Sequence, residues 1–208
     1  MIPLMIDLRG KKVVIFGGGE VAARKAAFFA REAAVVVVSR SFTADLEELA
    51  VQRIREDISP ESREAIHRIL DGAFLAVLAT SDRAANRFLE EICAAEGVLV
   101  NDAMGEAGDV IVPSVVQGKG YVIAISTYGK APTLPRFVRE HLEATFPHME
   151  EMVLLQESLR RELKATGTSW QERAAILHAV LCDPAVWNAL AAGQETAGRL
   201  ARERYLHG

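Results

Sequence analysis

Gly17, Gly19 and Ala22 form the pattern G-x-G-x-x-A between an apolar run, KVVIF, and a helical-looking stretch, VAARKAAFFAREA. In that setting the first glycine permits a tight turn, the second lets the backbone approach a pyrophosphate, and the small third residue lets helix and strand pack closely. The start of the helix then offers unbonded N–H groups and a positive dipole end to phosphates. Gly18, Glu20 and Val21 complete the segment, which reads as a dinucleotide cradle; a glycine turn that holds nothing is the plain alternative. The acid that usually receives the ribose at the end of the following strand is missing, and Ser39, Arg40 and Ser41 stand there instead. Arg40 suits a 2′-phosphate, stacking on adenine above an ordinary ribose, or simple solvation.

Asp102 closes another apolar run, VLVND. Ligands of open α/β sheets bind beyond the carboxyl ends of the strands, so a carboxylate there is well placed as a general base. An Asn-Asp pair also caps turns, which is the structural alternative. Thr80 and Ser81 end the run AFLAVLAT beside the same crest. A hydroxyl at that point can bond a nicotinamide ribose or amide, and Ser81 can equally cap the next helix. His67, His141, His148, His178 and His207 show no H-E-x-x-H spacing and no cysteine partner, so no metal site is expected. Cys93 and Cys182 lie far apart in helical segments and are expected to be buried free thiols.

The elements that must position these groups follow from pattern. KVVIF and AVVVVSR are short, Val-rich runs without alternation, and VQRIR at 51–55, AFLAVLAT at 73–80 and VLVND at 98–102 read as further short strands, all alternating with helical stretches. Runs of this kind suit a parallel sheet covered on both faces, giving an α/β, Rossmann-like, doubly wound sheet. Ser81 and Asp82 open a helix on which Phe88, Leu89, Ile92 and Cys93 share a face, and Gly97 marks its end. Beyond Asp102, DVIVPSVV and YVIAIST are joined by QGKG, the arrangement of a hairpin. From Leu134 onward the chain is nearly all helix: LPRFVREHLEATF, MEEMVLLQESLRRELKA, QERAAILHAVLC and PAVWNALAAG. Trp170, Trp187, Ile176, Leu177, Val180 and Leu181 are expected to form the core of that tail. The divisions fall at 1–112 for a dinucleotide-binding domain, 113–147 for a central region and 148–208 for an all-helical domain.

Composition sets the outer limits. With 208 residues, half hydrophobic and a quarter charged, the chain can bury a real core and does not resemble a disordered or low-complexity protein. The 24 Lys and Arg against 28 Asp and Glu leave a net charge of −4, which argues against a partner made of duplex nucleic acid. No apolar run approaches the ~18 residues of a membrane span, and Asp7 and Arg9 interrupt the amino-terminal stretch. A cytoplasmic protein without a membrane partner is expected.

The segment IDLRGKKVVIFGGGEVAARKA resembles the opening of the siroheme synthase family, the precorrin-2 dehydrogenase and sirohydrochlorin ferrochelatase proteins. AVLATSD at 76–82, VLVNDA at 98–103, IVPSVV at 111–116 and IAISTYGKAPTLPRFVREHLE at 123–143 resemble further family segments in the same order. The resemblance covers residues 1 to about 147, with the helical remainder similar only in character. It implies NAD-dependent oxidation of precorrin-2 to sirohydrochlorin by a homodimer, with insertion of ferrous iron as a second substrate in some members. It also implies a Rossmann domain, a central dimerisation region with swapped strands and a small helical domain. No counterpart of the methyltransferase domain fused to some members is expected. By position, Gly17 to Val21 face the pyrophosphate, Ser41 and Phe42 the adenosine side, and Asp102 matches the family's catalytic aspartate.

A polycarboxylate substrate needs local cations on a negatively charged protein. Lys130, Arg136 and Arg139 stand near a predicted helix start and can supply them, or form a solvated helix face. Ser126 and Thr127 match a hydroxyl pair of the family, but Tyr128 replaces the glycine usual there. A dinucleotide or tetrapyrrole sensor without chemistry remains the alternative from another functional class.

Overall fold

The computed structural model describes residues 1–103 and 108–206, and the chain divides into two compact units, Met1–Val112 and Pro113–Gly208. His207, among the histidines considered above, lies outside the described residues.

In the first unit the strand-like runs form β1 (Lys12–Phe16), β2 (Ala34–Ser39), β3 (Gln52–Arg55), β4 (Ala73–Leu78) and β5 (Leu99–Asp102). They pair in parallel in the order β3-β2-β1-β4-β5. Lack of alternation in β1 has its expected cause: Val14 and Phe16 enter one core, Val13 and Ile15 the other, and all four are fully buried. The helix α1 (Glu20–Phe29) packs through Ala22, Ala23, Ala26 and Phe29 into the second core. The helices α3 (Arg63–Leu70) and α4 (Arg83–Glu96) close the first through Ile66, Leu70, Leu89, Ile92 and Cys93. A short α2 (Ala44–Glu48), which the sequence pattern does not announce, buries Leu46.

Chain order reverses between β1 and β4, the place where an open α/β sheet leaves a crevice at its carboxyl edge. The stretch 109–112, read as the start of a strand, instead returns along β5: the N–H groups of Asp109 and Val110 both donate to the Val100 carbonyl, at 2.8 and 2.9 Å. The Asn101 side chain donates to Val110 O at 2.7 Å, and Val110 and Val112 pack on the second core. An edge strand is thereby covered.

In the second unit β6 (Ser114–Gln117) and β7 (Val122–Ile125) form the expected antiparallel hairpin. The helices α5 (Thr133–Thr145), α6 (Met149–Ala165), α7 (Trp170–Cys182), α8 (Pro184–Leu190) and α9 (Gln194–Tyr205) follow. Met152, Leu155, Leu159, Val180, Val186, Leu190, Ala197 and Ala201 form the core of α6 to α9. Arg202 and Glu162 link α9 to α6, with Nε 2.8 Å from Oε2. Trp187 and Leu177 pack against this core as expected, but Trp170 is 71% exposed and Leu181 42% exposed. Trp170 begins α7 directly after the Ser169–Glu172 capping box, so its ring leaves the bundle at the helix end rather than entering it. Cys182 is likewise exposed, in contrast to Cys93. No described helix is long and apolar enough to cross a membrane.

Candidate functional site

A cavity of about 620 Å³ opens at the carboxyl edge of the sheet, at the β1/β4 reversal. Gly17, Gly18, Gly19, Glu20, Val21, Ser39, Arg40 and Thr80 line it. The turn after β1 is held by Gly17 N–H donating to Val38 O at 2.9 Å, while Ala79 N–H donates to Phe16 O at 2.8 Å. Gly17 has φ +128°, and a Cβ there would lie 2.4 Å from the Ala79 carbonyl oxygen, so only glycine fits. Gly19 differs: a Cβ on it would meet nothing within 4 Å. It is the N-cap of α1 without a side-chain capping bond, and the first helical bond is Ala23 N–H to Gly19 O at 3.0 Å. The preceding N–H groups of the first turn are therefore available to an anion beside an open face of backbone.

On the other side of the crevice, Asp82 caps α4 by accepting from Ala84 N–H at 2.7 Å and Ala85 N–H at 3.3 Å. The N-cap is Asp82 and not Ser81, because a carboxylate at that position reaches two orphan donors. The Thr80 hydroxyl is engaged with Asn86 Oδ1 and with the Asp82 backbone. Asn86 Nδ2 returns a bond to Thr80 O at 3.3 Å, so Thr80 lines the cavity as part of a fixed network.

Ser41 and Phe42 are not in the cavity lining. The Ser41 carbonyl packs on Gly18, and Phe42 packs against the second core with Arg55 over its ring. Asp102 is half-buried at the last position of β5, in register with Leu78, and its neighbour Ala103 lines the cavity while Asp102 itself does not. Glu56, Asp57 and Ile58 line the cavity and were not singled out by sequence. Their position directly after a strand end was the available signal.

The proposed substrate residues belong to the second unit. Ser126 Oγ accepts from Tyr128 N–H at 3.1 Å, and Thr127 Oγ1 bonds the Ala131 backbone, so both hydroxyls build the turn before α5. Tyr128 sits at φ +54°, which is why glycine suits this position. Arg136 pairs with Glu140 at 2.8 Å and Arg139 with Glu143 at 2.8 Å, each one helical turn away. These pairs hold the Arg136 guanidinium above its ordinary value and the Glu140 carboxyl below it, chiefly through the hydrogen bond between them. Lys130 donates its backbone N–H to Thr127 O at 3.0 Å. Among the described residues no three His, Cys, Asp or Glu side chains gather as metal ligands.

Residues 4–114 match a family model described as "Putative NAD(P)-binding". A precorrin-2 dehydrogenase from Methanosarcina barkeri is 36% identical over 205 residues, covering 96% of this chain and 91% of that one. A siroheme synthase from Photobacterium profundum is 32% identical over 76% of this chain, which spans about a third of its length. The solved structure of SirC, a precorrin-2 dehydrogenase, shares the fold with a TM-score of 0.71 over 98% of this chain and 100% of that one, at 24% identity. The glycine cradle thus falls inside the matched NAD(P)-binding region, and the alignment continues through the helical tail. On these grounds the chain belongs to the precorrin-2 dehydrogenase family.

Proposed function

We propose that the chain oxidises precorrin-2 to sirohydrochlorin in siroheme biosynthesis, with NAD as the hydride acceptor. The observation that carries this reading is the near full-length match to a precorrin-2 dehydrogenase, with the glycine-lined cavity inside it. The residues present fit a dinucleotide: the open face at Gly19 and the unbonded N–H groups of α1 suit a pyrophosphate, and the cavity is of ligand size. When bound, the dinucleotide supplies the acceptor for the hydride.

Removing two hydrogens from precorrin-2 as a hydride also releases a proton, and the Asp102 carboxylate is the group assigned to receive it. Its place at the end of β5, one residue before the cavity lining, supports that role. Gly17 to Val21 hold the phosphates, Ser39 and Arg40 border the adenosine end with Ser41 and Phe42 behind them, and Thr80 fixes the nicotinamide side of the crevice. For the substrate carboxylates we assign Ser126, Thr127, Lys130, Arg136 and Arg139. The two arginines would then exchange Glu140 and Glu143 for substrate.

The region 113–147 is assigned to a homodimer contact and 148–208 to a helical domain. Support comes from α5, whose thirteen residues bury only Pro135 and leave Leu134 and Phe137 48% and 65% exposed. A helix so little covered needs a partner surface. The reaction is assigned to the cytoplasm, where free thiols such as Cys93 persist. Incubation with precorrin-2 and NAD is expected to give sirohydrochlorin and NADH in equal amounts. Bound NAD with no turnover would overturn the assignment.

A further inference from the structure

A Rossmann chain ordinarily carries at the end of its second strand the acid that receives the adenine ribose. Ser39 ends β2 here, and two carboxylates directly follow the end of the neighbouring strand β3 instead. Ser39 pairs with Arg55 across the parallel β2–β3 contact, so Glu56 and Asp57 leave the sheet one strand further from the glycine turn, a spacing of about 4.8 Å. Glu56 N–H donates to Ser39 O at 3.3 Å, which anchors the acids beside the end of β2. Both line the cavity together with Ser39 and Arg40.

The two acids also determine what Arg40 can do. Its Nε lies 3.5 Å from Asp57 Oδ1, and Glu56 Oε1 accepts the Asp57 N–H at 3.2 Å. Arg55, the next cation along, lies over the Phe42 ring, 6.0 Å from its centroid, and is not in the cavity lining. The ribose end of the cavity therefore presents two carboxylates against one guanidinium that is already paired. A ribose 2′-hydroxyl can donate to a carboxylate. A 2′-phosphate has no comparable donor and brings further negative charge to a site that is already net negative.

We infer that Glu56 and Asp57 are the residues that select NAD against NADP, supplying just after β3 the acid that β2 lacks and outnumbering the single cation Arg40 beside them. This inference rests on the dinucleotide reading of the cavity and names the residues that decide which dinucleotide enters.

The test is calorimetric binding of NAD and NADP to the full chain, the Asp57→Asn variant and the double variant Glu56→Gln with Asp57→Asn. The wild-type protein is expected to bind NAD at least about tenfold more tightly than NADP, and the double variant to narrow that ratio about tenfold, the single variant falling between. Both side chains reach solvent, so the variants should fold, and circular dichroism checks this. Equal affinities in the wild type, or a ratio unchanged in the double variant, overturn the inference. The same wild-type sample is assayed with precorrin-2. NAD binding without turnover removes the dehydrogenase reading and leaves the selection standing. Turnover with NAD beside an unchanged ratio in the variant does the reverse.

Discussion

Asp102 lies directly opposite Leu78 in the parallel pairing of β5 with β4. Side chains alternate along a strand, so Asp102 continues the face that carries Val98 and Val100, the face closed by α4. Leu78 is the last residue of β4, immediately before Ala79 and Thr80 of the cavity wall. Asp102 therefore ends its strand level with Leu78 on the face closed by α4, with its neighbour Ala103 in the cavity lining. The glycine turn reaches the same cavity from α1, on the opposite face of the sheet.

The glycine turn separates folding from binding. Gly17→Ala puts a Cβ 2.4 Å from the Ala79 carbonyl at a positive φ, and should destabilise the first unit by about 2 kcal/mol or more. Gly19→Ala meets nothing within 4 Å and should leave thermal unfolding nearly unchanged. Its methyl group would occupy backbone surface in the cavity wall and weaken NAD binding roughly tenfold or more. Equal unfolding temperatures for the two variants would contradict this division.

Tyr128→Gly is expected to stabilise the chain. Tyrosine at φ +54° is strained by about 1–2 kcal/mol, part of which glycine gives back through its freer unfolded state. A net gain of roughly 0.5–1 kcal/mol should appear in denaturant unfolding. A loss would show that the exposed ring makes a stabilising contact.

Lys25 carries a pH signature. Burial, with the nearby Arg24 charge, lowers its ammonium from the ordinary 10.5 to about 8. The unfolded chain thus holds a proton between those values that the folded chain has lost, and stability rises with pH across that window. Below about pH 8 both states are charged and the full cost is present. Lys25→Met should therefore stabilise the protein by roughly 1–3 kcal/mol at pH 7, with the advantage fading towards pH 10. An advantage that does not depend on pH would assign it to packing alone.

The two thiols should label in sequence. Cys93 is fully buried in the first core, and burial pushes its thiol up to about 12. Cys182 is exposed, with Sγ 3.5 Å from His178 Nδ1. A disulfide reagent should consume one thiol in the native protein and the second only on unfolding, and Cys182→Ser should abolish the fast phase. Two fast thiols would contradict the packing of α4.

The centre of the sheet was legible because KVVIF and AVVVVSR are Val-rich and carry no alternation, and burial on both faces writes that pattern directly, whereas the edge strand β3 is largely exposed. The glycine turn was legible for a steric reason at Gly17, whose positive φ and contact with Ala79 admit no Cβ, while Gly19 stands open and answers to a ligand rather than to the fold. What sequence did not reveal depends on distance in space. Glu56 and Asp57 reach the cavity only because β3 lies beside β2, and strand order is not a local property. Helix α9 was missed because its buried positions include Ala197, Gly198 and Ala201, too small to register as an apolar stripe. Hydrophobicity alone does not separate Trp170 and Leu181 from the core residues of α7, yet both are exposed, Trp170 because it stands at the very start of the helix.

The most direct measurement is the rate of precorrin-2 oxidation by Asp102→Asn, read from NADH absorbance beside calorimetric NAD binding on the same sample. The amide keeps the shape of the side chain and removes its capacity to take a proton. A fall of about 10² to 10⁴-fold in rate with NAD affinity unchanged is expected. An undiminished rate would contradict the assignment of Asp102 as the base and with it the central mechanism.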